Sequence, residues 1–333
     1  MIRFAWLALA VGIAACGSSP TAPPVPTPPT SPGDPAPQQG CSRTSVGLTP
    51  LSDLAGGSYE GHAGGLYPGG GNAMPGFHLS EGLARARDVG PLDSSGSPLP
   101  SGRYVFMSIG MSNTTQEFST FKPMADADSS RDPRLVVVDG AQGGVTALEW
   151  SSPGCPCWTQ LENRLQAAGV TAAQVATAWI KLADRQPTEG WPVHAEKLRD
   201  NITRVLQLLP ARFPNLKLAY LSSRIYAGYA TSTLNPEPYA YQSGFSVRWT
   251  IEAQLRGGLR YDGASPAAPW LAWGPYLWAD GLTRRSDGLT WSCSELQADG
   301  THPSMSGRQK VAVRLLDFVR TDPTAREWYL TQP

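Results

Sequence analysis

Short apolar runs that alternate with amphipathic stretches are the feature that most restricts this fold. From Tyr104 onward, Tyr104–Ile109, Leu135–Asp139, Val175–Leu182 and Leu218–Ser222 read as strands, and Pro269–Tyr276 holds a fifth. Runs apolar on both faces belong to parallel sheets covered by helices. The stretches between them supply those helices. Trp158–Ala168 has helical spacing at Leu161 and Leu165. His194–Leu209 places Leu198, Ile202, Val205 and Leu209 on one face. Phe245–Leu255 is also helical, and Ser304–Arg320 aligns Val311, Leu315 and Phe318. The alternation predicts an α/β protein with a mostly parallel sheet covered on both faces.

The first strand runs into Gly110-Met111-Ser112-Asn113-Thr114. Gly110 permits a turn that a side chain would block. Ser112 then stands at the carboxyl end of the strand, where open α/β sheets bind ligands. By itself it is either a helix cap or a nucleophile beside backbone N–H groups. Asp299-Gly300-Thr301-His302-Pro303 precedes the last helix. Asp and His three apart in a turn can lie on one side, the carboxylate orienting the imidazole toward a nucleophile. The order Ser112, Asp299, His302 fits a serine triad. Thr114 stands where an α/β-hydrolase elbow would need its second glycine.

The chain has 333 residues, and its 27 basic and 27 acidic residues cancel, which leaves no basic footprint for nucleic acid. The start of the chain is a targeting segment. Arg3 precedes an apolar core from Phe4 to Ile13, too short to span a bilayer. Ile13-Ala14-Ala15-Cys16-Gly17 is similar to a bacterial lipobox, with Cys16 the lipid-attachment residue; an ordinary secretory signal is the alternative. Residues 17–40 are rich in Pro, Thr, Ser and Ala and read as a disordered, semi-extended tether reaching roughly 70 Å. Together these predict a lipid-anchored protein on the extracytoplasmic side of a bacterial envelope, bound to the membrane only by that anchor. Residues 41–333 form the domain, opening with a glycine-rich extension to about residue 102 that is either a lid over a site or a covering loop. A short helix falls near Leu79–Arg87. Four further cysteines, Cys41, Cys155, Cys157 and Cys293, suit disulfides in an oxidising compartment. Cys155 and Cys157 are too close to be an easy pair, so each is expected to reach elsewhere, one of them to Cys293. No His or Cys spacing suits zinc.

With these residues in place, the stretch from about Tyr104 to Arg320 resembles the SGNH (GDSL-like) hydrolase superfamily. Gly110–Thr114 looks like its first block, in the Gly-x-Ser-Asn form of carbohydrate acetylesterases. Gly140-Ala141-Gln142-Gly143-Gly144 looks like the second, and Asp299–His302 like the last. The resemblance implies a three-layer α/β/α sandwich, flavodoxin-like in its sheet. It also implies ester hydrolysis without a metal or other cofactor. Ser112, Asp299 and His302 take the triad roles. Gly143 donates its N–H to the oxyanion, with Gly144 or Gly140 as alternatives. The third block, normally Gly-x-Asn-Asp, is matched here by Lys181-Leu182-Ala183-Asp184, and Ala183 has no side-chain donor. Lys181, Asn113 or Gln142 is expected to substitute, although Lys181 is equally well a salt-bridged structural residue.

Around this site, Arg224 follows the fourth strand and either binds a substrate carboxylate or sugar hydroxyls or pairs with Glu237 or Asp184. Asn235–Tyr241 reads as a polar–aromatic loop of the sort that stacks sugars or merely packs. Trp270, Trp273, Tyr276 and Trp278 read as core, and His62, His78 and His194 receive no role. The expected substrate is an acylated small molecule or glycan. The competing expectation is a weakly active or inactive glycan-binding lipoprotein of the same fold.

Overall fold

The apolar runs assemble as one parallel sheet. A computed structural model describes residues 40–331; the stretches read above as a targeting segment with Cys16 and as a tether to residue 39 lie outside them. In chain order the strands are β1 (Ser58–Tyr59), β2 (His62–Ala63), β3 (Tyr104–Gly110), β4 (Leu135–Val138), β5 (Val175–Lys181), β6 (Leu218–Ser222) and β7 (Trp270–Trp273). The helices are α1 (Gly76–Arg87), α2 (Ser112–Asp126), α3 (Ala147–Trp150), α4 (Pro156–Ala167), α5 (Val193–Arg212), α6 (Tyr239–Leu255), α7 (Met305–Thr321) and α8 (Pro323–Tyr329). β1 and β2 form a small hairpin; the main sheet has the order β4-β3-β5-β6-β7, every pair parallel. Helices α1, α2, α7 and α8 pack together on one side and α3 to α6 on the other. This is the expected three-layer sandwich.

That order places the nucleophile candidate. The chain leaves β3 for β4 on one side and later returns to β5 on the other. The crevice between the carboxyl ends of β3 and β5 is therefore the topological switch point, where such sheets bind ligands. Ser112 begins α2 directly above it. On α2, Thr114, Phe118, Phe121 and Ala125 face inward, with Phe118 stacked 5.9 Å from Trp179 of β5.

Three local readings change. Tyr239–Tyr241 is the first turn of α6, and Tyr241 is buried, so this end of the expected sugar-stacking loop is packing. A further helix, α8, follows Asp322, whose carboxylate caps it by accepting from the N–H groups of Thr324 and Ala325. It carries Trp328 onto Phe106 of β3 at 5.1 Å. The glycine-rich extension covers the β7 side of the sheet. Trp273 Nε1 donates to the Leu66 carbonyl at 2.6 Å, and His78 Nε2 donates to that of Leu271 at 2.7 Å. Gly82 lets α1 lie on Trp270, since a Cβ there would collide with the indole. This shields an edge strand from foreign pairing.

The disulfides also differ from expectation. Cys41 bonds Cys293 across 252 residues, and Cys155 bonds Cys157. Pro156 between the latter two opens α4, and the turn from extended Cys155 into the helix brings their Cα atoms to 5.1 Å. Trp270, Trp273, Tyr276 and Trp278 are core, as read.

Candidate active site

The site is built on the end of β3. Gly110 pairs in register with Lys181 of β5, and a Cβ on it would collide with the Thr114 side chain and the Lys181 carbonyl. Only glycine lets the chain turn this tightly into α2. Ser112 Oγ then lies 2.7 Å from His302 Nε2, and His302 Nδ1 lies 2.5 Å from Asp299 Oδ2. The sequence-predicted Ser112, Asp299 and His302 are thus brought into one chain of contacts.

The loop presenting the last two is held from several sides. Asp299 Oδ1 accepts from the N–H groups of Thr301 and His302, each at 2.9 Å. Gly300 takes a φ of +62° against the Tyr229 carbonyl, where a Cβ would not fit. Thr231 N–H donates to the Asp299 carbonyl at 3.0 Å. Asn113 Nδ2 donates to the Thr301 carbonyl at 3.0 Å, tying the first turn of α2 to the loop. Burial alone would raise the Asp299 pKa, but the hydrogen bonds from the His302 ring and from the His302 and Thr301 N–H groups outweigh it, leaving it at about 2. Asp299 is therefore an anion at neutral pH and can only accept. That fixes the proton of His302 on Nδ1 and leaves Nε2 to accept from the Ser112 hydroxyl.

The glycine loop after β4 forms the other wall. A Cβ on Gly143 would sit 3.9 Å from Ser112 Cβ, so its backbone lies against the serine. Among the described residues neither the Ser112 nor the Gly143 N–H has an acceptor. Both are free to receive negative charge on a ligand oxygen. Gly144, at φ +80°, reverses the loop just beyond. Gly140 is not a donor to the site, because its N–H goes to Ser108 Oγ at 3.1 Å.

Asp139 clamps this loop, a role the sequence reading missed. Its Oδ1 accepts from Ser108 Oγ at 2.6 Å and from the Ala141 N–H at 3.2 Å, and its Oδ2 accepts from Thr115 Oγ1. One carboxylate thus joins β3, α2 and the glycine loop. Burial pushes its pKa up, against these hydrogen bonds. The signal was available: an acid ending a buried apolar run, directly before glycines.

All three proposed substitutes for the third-block asparagine are engaged by neighbouring groups. Gln142 Nε2 donates to the carbonyls of Cys157 at 2.8 Å and Gly140 at 3.3 Å. Asn113 is 1% exposed and gives an amide N–H to the Thr301 carbonyl, while its Oδ1 has no partner among the described residues. Lys181 Nζ donates to both carboxylate oxygens of Glu117 at 2.6 Å, so of its two readings the structural one holds. Burial pushes Lys181 down and Glu117 up, and each partner's charge opposes the other's shift. Glu117 was overlooked, although it falls on the inward face of α2 beside Thr114 and Phe118. Ala183 contributes a carbonyl to the Ala147 N–H at 3.0 Å and a buried methyl group. Asp184 is held by the Leu148 N–H and Asn201 Nδ2.

Arg224 is 3% exposed. It forms no ion pair with Glu237 or Asp184, and its Nε and Nη2 have no partner among the described residues. Burial pushes its pKa down; Glu117, Glu237 and Asp299 pull it back up. Among the described residues no group of three or more His, Cys, Asp or Glu side chains is arranged to hold a metal ion. Nor is any helix there long and apolar enough to cross a membrane.

No family model matches the chain, and no curated protein matches it in sequence. Several solved structures are similar at low identity. A candidate acylhydrolase from Bacteroides fragilis is 12% identical, with 77% of this chain and 100% of that one covered, at a TM-score of 0.40. A gut microbial diltiazem-metabolizing enzyme is 14% identical, with 70% of this chain and 48% of that one covered, at a TM-score of 0.38. The periplasmic domain of a lipopolysaccharide acetyltransferase from Salmonella ser. Paratyphi A is 14% identical, with 73% and 93% covered, at a TM-score of 0.37. Likeness at this level decides neither activity nor substrate.

Proposed function

We propose that this chain is a serine esterase of the SGNH type that removes an acyl group, acetyl in the first instance, from a carbohydrate at the cell envelope. The contact that carries this reading is Ser112 Oγ to His302 Nε2 at 2.7 Å, with His302 Nδ1 on Asp299 at 2.5 Å. His302 Nε2 takes the hydroxyl proton as Ser112 Oγ bonds to the ester carbonyl carbon. The N–H groups of Ser112 and Gly143 hold the oxyanion. His302 then returns the proton to the departing alkoxide, leaving an acyl-Ser112 ester. Water, deprotonated by His302, attacks that ester, and His302 gives the proton to Ser112 Oγ as the acyl–oxygen bond breaks and the acid leaves. The carbohydrate part is supported by the Gly-x-Ser-Asn form of the first block. The envelope part is supported by the Cys16 lipobox and the tether.

Fluorophosphonate labelling of membranes tests both parts. The wild type is labelled and sediments with membranes; Ser112→Ala is not labelled, and Cys16→Ser moves the labelled protein to the soluble fraction. If the wild type takes no Ser112-dependent label and hydrolyses no p-nitrophenyl ester, the glycan-binding reading replaces this one. Labelled Cys16→Ser protein that still sediments removes the lipid anchor.

A further inference from the structure

A cavity of about 260 Å³ opens beside the glycine loop, between the segment after β5 and the first turns of α5. Thr146 lines it and is three residues from Gly143, so this wall begins within about 10 Å of the oxyanion glycine. Two of its three carboxylates are matched by cations. Arg185 on the rim meets Glu149 at 3.0 Å, and Lys197 meets Glu189 at 2.6 Å. Asp184 in the floor accepts from the Leu148 N–H and from Asn201, and burial pushes its pKa up.

His194 adds a neutral polar group. It is 1% exposed, its ring stands edge-on to Tyr239 at 4.7 Å, and its Nε2 has no partner among the described residues. Burial lowers its pKa to about 4, so the ring is uncharged at neutral pH. The outer wall carries a second irregularity. Gln186 is one of three non-glycine residues with positive φ among the described residues, at +49°. Side chains tolerate that conformation at a cost that clusters at binding sites.

An anionic ligand finds no unpaired cation here, and Asp184, the one lining carboxylate without an ion pair, is already held by the Leu148 N–H and Asn201 Nδ2. A neutral ligand with hydroxyls on all sides finds carboxylates to accept and ammonium, guanidinium and amide groups to donate. The volume holds one ring and falls short of drug-sized pockets, which begin at roughly 300 Å³. We infer that this cavity is a subsite for a single uncharged sugar ring, the unit that carries the ester presented to Ser112. The inference rests on the esterase reading for its role, but not for its binding.

Thr188, exposed on the cavity wall, is where bulk closes it. The binding arm uses Ser112→Ala protein and saturation-transfer NMR with methyl α-D-glucopyranoside and methyl α-D-galactopyranoside. Transfer to at least one glycoside is expected, and it is lost when Thr188→Trp is added. Absence of transfer to both, or transfer that survives Thr188→Trp, overturns the subsite. The kinetic arm compares kcat/KM for mono-O-acetylated methyl glycosides with that for p-nitrophenyl acetate. Thr188→Trp lowers this ratio at least about tenfold, the loss of roughly one good set of hydroxyl contacts; an unchanged ratio also overturns the subsite. Failure of the wild type to hydrolyse p-nitrophenyl acetate strikes the esterase reading alone, and the NMR arm then decides the subsite.

Discussion

Replacing Ser112 by alanine lowers kcat for a short p-nitrophenyl ester by roughly 10⁴- to 10⁶-fold, and His302→Ala costs about as much. Nucleophile and base act as one unit: without the hydroxyl His302 has no proton to take, and without Nε2 the hydroxyl keeps it. The Ser112→Ala/His302→Ala double variant is therefore scarcely slower than either single. Asp299→Asn costs roughly 10⁴-fold by another route. An amide there donates to Nδ1 as readily as it accepts, so the imidazole proton moves to Nε2 and faces the serine hydroxyl. The residual rate in each variant comes from the Ser112 and Gly143 N–H groups, which the substitutions leave in place. Single-turnover kinetics measure these costs. Ser112→Ala within tenfold of wild type, or a double variant whose loss is the product of the single losses, would be incompatible with a triad here. The wild type itself is expected to be slow for such an enzyme. A hole with two backbone donors and no asparagine gives up roughly 100- to 1000-fold.

The sheet was legible because its strands are buried on both faces. Leu218–Ser222 coincides with β6, and β3 and β5 match their apolar runs to within one residue. The juxtaposition of Ser112, Asp299 and His302 was legible because each stands in a local motif whose spacing carries its geometry. What the sequence hid was long-range. No local rule joins Cys41 to Cys293, and none brings Trp328 of a short C-terminal helix onto Phe106. Cys155 and Cys157 misled for the opposite reason: sequence proximity argued against a bond that a proline-opened helix start makes feasible. The substitutes for the absent asparagine were sought among polar residues near the blocks. A polar side chain at a buried strand end is claimed first by whatever else is buried beside it. Lys181 and Gln142 were both claimed in this way, by Glu117 and by two carbonyls.

Lys181 gives the largest expected change in stability. Lys181→Met destabilises the protein by about 3–5 kcal/mol, because it strands Glu117 as a buried carboxylate without its partner. The pair spans the site: Glu117 lies one and a half turns into the helix that Ser112 begins, and Lys181 ends the strand beside Gly110. Both side chains are at most 1% exposed, so solvent cannot take over for the missing ammonium. Glu117→Leu, which strands Lys181, costs a similar amount. Glu117→Leu with Lys181→Met removes both charges and regains most of the loss, since apolar groups of similar size replace buried ion pairs at little net cost. The pH dependence has a definite sign. Burial already raises the Glu117 pKa with Lys181 in place, and losing the lysine's attraction raises it further. A carboxyl whose folded pKa lies above its unfolded value stabilises the fold below the unfolded pKa, and that contribution is lost as pH rises through the folded one. The Lys181→Met deficit is therefore largest at neutral pH and narrows toward acid. Urea midpoints of the two single variants and the double at neutral and mildly acidic pH measure the cycle. A Lys181→Met midpoint equal to wild type, or a double variant no more stable than either single, would show that the pair does not hold α2 to β5.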